Sequence, residues 1–435
     1  MKRLLMLAAC AAALASPAFA QDAALERAVA QDYQANLASL WDHFHRNPEL
    51  SGLEVQTAAR MAQELEALGY EVTTGVGGHG VVAILRNGDG PTVMLRADMD
   101  GLPLEEDSGL TNASTARQVD HDGTEKPVMH ACGHDVHITA LVGTARQMQA
   151  RRAGWSGTLI LIAQPAEETI SGARTMVEDG LYERFPKPDY AVAFHVASGL
   201  EAGRIMVPEA IAYSSSDSVD ITVRGVGAHG ASPHMGVDPV LVASQIVVSL
   251  QSVVSREIAP LSPGVITVGS IHGGIKHHII PDRVDLQLTV RSDDFEVREQ
   301  LLDGIDRVAR GTAEALGVPE NLLPVVTRSQ TQTTPPTINH TPTAAVVRSA
   351  IAAGMGEDVL IERPREGMGA EDFSYFIAPD TGVRGVYFAV GGTAQGELET
   401  ASSHHSPFFR IEPEPSVTAG VRAMVLAAEA LFAAE

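Results

Sequence analysis

The sequence has little cysteine, little positive charge and no long apolar run beyond its first residues. Of its two cysteines, Cys10 and Cys132, the first lies in an N-terminal segment with the marks of an export signal. Lys2 and Arg3 form a basic start, Leu4 to Ala15 is apolar, and Ala18-Phe19-Ala20 has the small-x-small form of a cleavage site. The run is too short to anchor a mature chain in a bilayer. Residues 1–20 are therefore expected to be cut off after Ala20, leaving a periplasmic or secreted protein. Leu7-Ala8-Ala9-Cys10 has the look of a lipoprotein box, but cleavage there would leave a signal too short for its charged and apolar regions. Cys132 is then alone, which excludes an internal disulfide. A lone thiol in an oxidising compartment is expected to be buried or bound to something.

Positive charge is the second shortage. Thirty-one Lys and Arg face 54 Asp and Glu, a net −23; losing Lys2 and Arg3 with the signal leaves 29 basic residues and a net −25. Such a surface repels nucleic acid and anionic membranes, so neither is an expected partner. Ordinary solubility accounts for the charge. After the signal no stretch reaches the roughly 18 apolar residues of a membrane span. There is no P-loop and no G-x-S-x-G elbow of a serine hydrolase. Gly75, Gly77 and Gly80 fit G-x-G-x-x-G, but a strand follows them where a dinucleotide site needs a helix N-terminus. Gly225, Gly227 and Gly230 fit it again, yet Pro233 and further residues separate them from the next helix.

At 435 residues, 45% hydrophobic and 20% charged, the chain is long enough for two domains with a sizeable core. From about Asp22 to Gly203, strand-like and helical stretches alternate. Val81–Leu85, Thr92–Leu95, Thr158–Ile162 and Tyr190–Phe194 are compact apolar runs suited to strands buried on both faces. Helical spacing over Val55–Leu68 and Ile138–Ala150 lies between them, which predicts an α/β sandwich. The middle part is different. Ser218–Val223 alternates, Asp238–Val254 is helical, Val265–Ile271 and Val284–Val290 are strand-like, Glu296–Leu316 is helical and Leu322–Thr327 reads as a strand. That order, β-α-β-β-α-β, is the split-βαβ signature of a small separate domain. Ser329 to Pro336 reads as a polar linker back to the first domain, where Val386–Val390 adds a core strand and Pro415–Ala433 a closing helix.

The chemistry-bearing residues fall at predicted strand ends. His130-Ala131-Cys132-Gly133-His134-Asp135-Val136-His137 places a thiolate and an imidazole two residues apart, able to face one metal, with further groups beside them. Gln164-Pro165-Ala166-Glu167-Glu168 follows the Thr158 strand. On extended backbone its adjacent carboxylates point to opposite sides, so one can bind metal while the other addresses water. His195 ends the Tyr190 strand, Asp98-Met99-Asp100 ends the Thr92 strand, and Ser403-His404-His405-Ser406-Pro407 follows the last strand. Ligands of open α/β sheets gather at the carboxyl ends of strands.

These segments resemble the M20 metallopeptidase family, in its aminoacylase, hippurate hydrolase and auxin-conjugate (IAA-amino acid) hydrolase branch. Arg96–Pro103, His130–His137, Gln164–Glu168, Gly227–His234, Ile280-Pro281-Asp282 and Met368–Phe373 look like its motifs, in its order, over nearly all the mature chain. The resemblance implies an α/β fold: a mixed-sheet α/β/α catalytic domain (21–212 and 330–435) with an inserted ferredoxin-like α+β lid and dimerisation domain (213–329). It implies hydrolysis of the amide bond of N-acyl amino acids or small peptides by attack of a metal-bound water, with a dipeptidase or carboxypeptidase as the alternative. Cys132, His134, Glu168, His195 and His405 would hold two divalent ions, zinc in the first instance with Mn2+, Co2+ or Ni2+ as substitutes, and Cys132 would bridge them. The family's last ligand precedes x-Pro, which selects His405 over His404. Glu167 would be the general base, Asp100 would orient a ligand, and His229 would steady the tetrahedral intermediate, across a homodimer formed by the lid. His278 stands where the family usually has Asn, which leaves the lid's substrate contacts open, His278 among them. Arg291 is either a partner of the substrate carboxylate or one half of a surface ion pair.

Overall fold

The computed structural model of the chain describes residues 17–434, so most of the proposed export signal, Cys10 included, lies outside the described residues. Three helices come first: α1 (Pro17–Asp32), α2 (Ala38–Arg46) and α3 (Val55–Ala67). Strands β1 (Glu71–Val76), β2 (Gly80–Asn87) and β3 (Thr92–Asp98) follow, then helix α4 (His134–Ala150) and strands β4 (Gly157–Gln164), β5 (Tyr190–Glu201) and β6 (Ile205–Met206). The chain then builds β7 (Ser216–Arg224), α5 (Pro239–Ser252), β8 (Gly264–Gly273), β9 (Arg283–Ser292), α6 (Phe295–Ala315) and β10 (Val325–Thr334). It returns through α7 (Thr341–Met355), β11 (Arg384–Thr393) and α8 (Pro413–Phe432).

The first sheet has the order β1-β2-β4-β3-β5-β11-β6. Its four inner strands β4, β3, β5 and β11 are parallel, and the flanking pairs are antiparallel. The inner strands read as unbroken apolar runs because both faces are covered. Leu159 and Leu161 of β4 pack into the core shared with α4 and α8, while Ile160 and Ile162 pack on the opposite face with Phe373 and Phe376. Burying a Leu or Ile side chain stabilises by about 1.5–3 kcal/mol, so this two-sided alternation fixes the register of each strand. The Gly75–Gly80 glycines make the β1–β2 hairpin, with Gly77 at φ +62°.

The second sheet is antiparallel, in the order β8-β9-β7-β10, with α5 and α6 supplying its core partners. Val219, Ile221 and Val223 of β7 meet Val242, Ile246 and Leu250 of α5, and Leu301 and Ile305 of α6, in a core of their own. One sequence expectation is corrected here. The last strand begins at Val325, later than Leu322, and runs through Thr334, so it takes in most of the segment read as a linker. The polar run Thr331 to Thr334 is β-branched at three of four positions, and Thr333 and Thr334 find partners in Asp217 and Ser216 past a bulge. Pairing to a neighbour, rather than apolar alternation, makes it a strand.

Candidate metal centre

Because β3, β4 and β5 run parallel, Asp98 and Gln164, the last residues of β3 and β4, come to one edge with His195, which lies inside β5 just past its pairing with β3 and not at its end as the apolar run suggested; α4 starts there with His134. The Cys132-Gly133-His134 turn fits against β5 only because residue 133 is glycine. Its φ is +85°, and a Cβ would stand 2.3 Å from Val196 Cγ1.

The partners of each ring decide which histidines can hold a metal. His134 Nδ1 lies 2.9 Å from the Asp100 carbonyl and 3.2 Å from Asp100 Oδ1. A carbonyl only accepts, so Nδ1 carries the proton and Nε2 offers a lone pair. Buried His134 Nε2 has no hydrogen-bond partner, nor has Glu168 Oε1, and the two lie 3.9 Å apart. Leaving two such groups unsatisfied is costly, and a cation between them satisfies both. His195 donates from Nδ1 to Val196 O at 2.6 Å, which frees Nε2 at 3.3 Å from Cys132 Sγ. His137 has no lone pair to spare: Nε2 accepts the Val196 N–H at 2.8 Å and Nδ1 donates to Asp98 Oδ1 at 2.5 Å. Cys132, His134 and Glu168 have donor atoms within 4.8 Å of one another. Thiolate, imidazole and carboxylate together suit zinc and similar divalent ions, so the residues present fit the implied group.

Electrostatics agree. Burial, with Glu168 and Glu167 close by, pushes the Cys132 thiol well up, so its charged form would need a cation beside it. Glu167 is held well above the usual carboxylate range by burial and by Glu371 and Glu168. Burial would also raise Asp98, but Arg96 and the imidazoles of His134 and His137 outweigh it and keep that carboxyl well below its ordinary value. Arg96 is itself fully buried. It donates to Gln164 at 2.8 Å, Asp98 at 2.6 Å and Glu371 at 2.7 Å, tying three segments behind the metal edge.

Residues 94–430 match the Peptidase family M20/M25/M40. The chain belongs to the M20 family. The hippurate hydrolase of Campylobacter jejuni is 34% identical over 346 residues, covering 79% of this chain and 86% of the relative. Thermostable carboxypeptidase 2 of Saccharolobus solfataricus is 34% identical over 373 residues, 84% of this chain and 88% of the relative. The solved structure of the Bacillus subtilis YXEP protein, a dinuclear metal binding peptidase from the M20 family, superposes with a TM-score of 0.75 at 25% identity, covering 93% of this chain and 99% of that one. Membership makes the chain a metal-dependent hydrolase of amide or peptide bonds.

In this M20 chain the paired glutamates are not on extended backbone, a second correction. Residues 167–170 form a turn after Ala166, whose φ is +52°, so the turn and not the pleat parts the two carboxylates. Glu167 faces Glu371 and Asp372, while Glu168 faces Cys132 and His405. Asp100 also accepts from Ser51 Oγ at 2.6 Å and from the Glu168 N–H at 3.0 Å, so one carboxylate orients His134 and the Glu168 backbone together. His405 Nε2 stands 3.2 Å from Glu168 Oε2, on a residue whose φ is +62°. His404, which the sequence reading passed over, lies deeper, with Nδ1 3.6 Å from Cys132 Sγ.

A cavity of about 600 Å3 opens from these groups toward the second sheet, where Ser216, Ser218, Arg291 and Gln332 line it. Arg291 donates to Thr289 Oγ1 at 3.2 Å and has no carboxylate partner among the described residues; nearby Asp217 is taken by both arms of Arg298. A surface ion pair is therefore not what Arg291 makes. His229 and His278 are exposed and absent from the cavity lining, their rings 6.3 Å apart. Glu371 and Asp372 were visible only as part of a motif, because their role depends on Arg96, hundreds of residues away in sequence.

Proposed function

We propose that this M20 chain cleaves the amide bond of N-acyl amino acids that carry a free carboxylate. The observation that carries the reading is one cavity lined both by a buried carboxylate, Glu167, beside the donor cluster and by the guanidinium of Arg291, which has no carboxylate partner among the described residues. Cys132, His134, Glu168, His195 and His405 would hold two divalent ions, zinc by their donor chemistry, and such ions polarise a carbonyl and acidify water. Glu167 takes the proton of the attacking water and passes it to the leaving nitrogen. Arg291 pairs with the substrate carboxylate, which holds the substrate in the cavity that Glu167 also lines. His229 of a second copy steadies the oxyanion. That copy docks through the second sheet. Edge strand β8 exposes Ile271, and α5 exposes Leu241 and Val248, at 52%, 56% and 65% of their surface. The basic, apolar and small-residue pattern of residues 1–20 supports delivery to the periplasm or outside the cell. A carboxypeptidase or dipeptidase would use the same carboxylate contact.

The test compares hydrolysis of N-acyl amino acids and dipeptides with that of the same compounds capped as carboxamides. Free carboxylates should be preferred by about 10²-fold or more in kcat/KM, with the preference lost in Arg291→Ala. Equal rates on capped and free substrates would remove the carboxylate contact from the reading. A dipeptide preference would select the carboxypeptidase alternative.

A further inference from the structure

Two adjacent histidines, His404 and His405, compete for one role at the metal edge. By distance His404 wins: its Nδ1, Cys132 Sγ and His195 Nε2 fall into one group of close donor atoms. Hydrogen-bond chemistry reverses that choice. The backbone N–H of Ser198 points at His404 Nε2 at 3.2 Å, and an N–H can only donate, so Nε2 spends its lone pair there. In a neutral imidazole the proton then sits on Nδ1, the atom 3.6 Å from the Cys132 sulfur. The ring is also held in place, packed on Phe409 with centroids 4.8 Å apart. A nitrogen that carries a proton cannot bind a metal, but it can donate to a thiolate. At His134 and His195 the order is opposite: there Nδ1–H is spent on a carbonyl and Nε2 is open.

We propose that His404 is a positioning residue that donates an Nδ1–H hydrogen bond to the Cys132 thiolate, leaving His405 as the metal ligand of the pair. The proposal rests on the metal centre of the preceding section. The hydrogen bond draws charge from the sulfur and fixes the direction of its lone pairs, so that Cys132 gives less density to the ions it serves. It also accounts for a buried lone cysteine beside several carboxylates: the sulfur has a donor ready for its charged form.

Cobalt-loaded protein separates the possibilities, read by metal content and by the sulfur-to-cobalt charge-transfer band. Wild type should bind about two ions per chain. His404→Ala should keep both while its charge-transfer band moves to lower energy, since the sulfur lone pair loses its stabilising proton. His404→Asn, whose side-chain N–H can stand near the position of Nδ1, should move the band back toward wild type. His405→Ala should lose one ion of the two. Loss of an ion in His404→Ala with both kept in His405→Ala overturns the assignment and makes His404 the ligand. Two ions and an unmoved band in His404→Ala overturn the hydrogen bond alone. If His404→Ala fails to fold, His404→Asn decides, because a wild-type band with two ions requires a donor and cannot come from a lost ligand. Wild type without cobalt overturns the metal centre itself, an outcome distinct from the others.

Discussion

Glu167 and Glu168 share a peptide bond and almost nothing else. Glu167 is buried against Glu371 and Asp372, an arrangement that raises its affinity for a proton. Glu168 keeps one oxygen without a hydrogen bond, 3.9 Å from an open histidine nitrogen. Glu167→Gln should therefore retain the metals and lose about 10²–10⁴ in kcat, the usual contribution of a general base. Glu168→Gln should weaken metal binding first. Metal content and single-turnover rates measure both, and an exchange of the two behaviours would reverse base and ligand. Gly133 makes a second prediction. A methyl group there meets Val196 at 2.3 Å on a backbone at φ +85°, so Gly133→Ala should cost roughly 2–5 kcal/mol in unfolding free energy. At this scale the residue types were readable in the sequence, because thiol, imidazole and paired carboxylates at strand ends have few other uses. Their division of labour was not, since it depends on which lone pair each neighbour occupies.

At the scale of elements, the first turn of α4 is pinned from a distance. His45, on α2, lies 2.8 Å from Asp135 and 3.4 Å from Glu106, so it clamps the residue next to His134 to the loop after β3. Burial opposes a charged His45, but the hydrogen bonds and charges of Asp135 and Glu106 outweigh it and raise the ring to about 10. A group raised on folding contributes its stability fully below the unfolded value, about 6.5, and loses it as pH climbs through about 10. Metal-loaded wild type should accordingly lose thermal stability across that window, and His45→Gln should show a smaller loss over the same range, measured by calorimetry. An identical slope in both proteins would show that His45 is not the clamp. The site loops carry a related signature. Ala166, Ile170 and His405 are the non-glycine residues with positive φ among the described residues, and all three line or flank the metal edge. Strain is held where function needs a fixed direction, supported by the rigid strands behind. Helix and strand periodicity announced α4 and the inner strands, while the turn at 167–170 had no such signal.

For the whole molecule, the cavity is lined from both sheets, with Glu167 following β4 of the first and Arg291 on β9 of the second. Metal occupancy is the broadest test. Chelation should abolish hydrolysis, and zinc, manganese or cobalt should restore it at about two ions per chain; full activity in metal-free protein would end the metal reading. Subunit mixing tests the pairing of copies. Cys132→Ala and His229→Ala proteins, each inactive, should regain roughly a quarter of wild-type activity when exchanged, because half the dimers are mixed and each of those has one intact site. No recovery after confirmed exchange would mean that His229 serves its own chain's site and would sink the shared site, leaving the metal chemistry intact.

The layering and the chemical cast were legible in the order of residues alone. Short Val, Ile and Leu runs suit strands covered on both faces and alternating runs strands covered on one, and the Cys132-x-His134 spacing, the Glu167-Glu168 pair and His195 carry their chemistry in residue type alone. The folded chain was needed to show that Ser329–Thr334 is strand, that Arg291 has no carboxylate partner among the described residues, and that His404 Nδ1 stands 3.6 Å from the Cys132 sulfur. The reason is one of range. Periodicity records what a residue needs from a neighbouring face, and that is local. Hydrogen-bond partnership is assigned by groups such as Ser198, which meets His404, and Asp217, which meets Thr333, far off in sequence and brought together only in the folded chain.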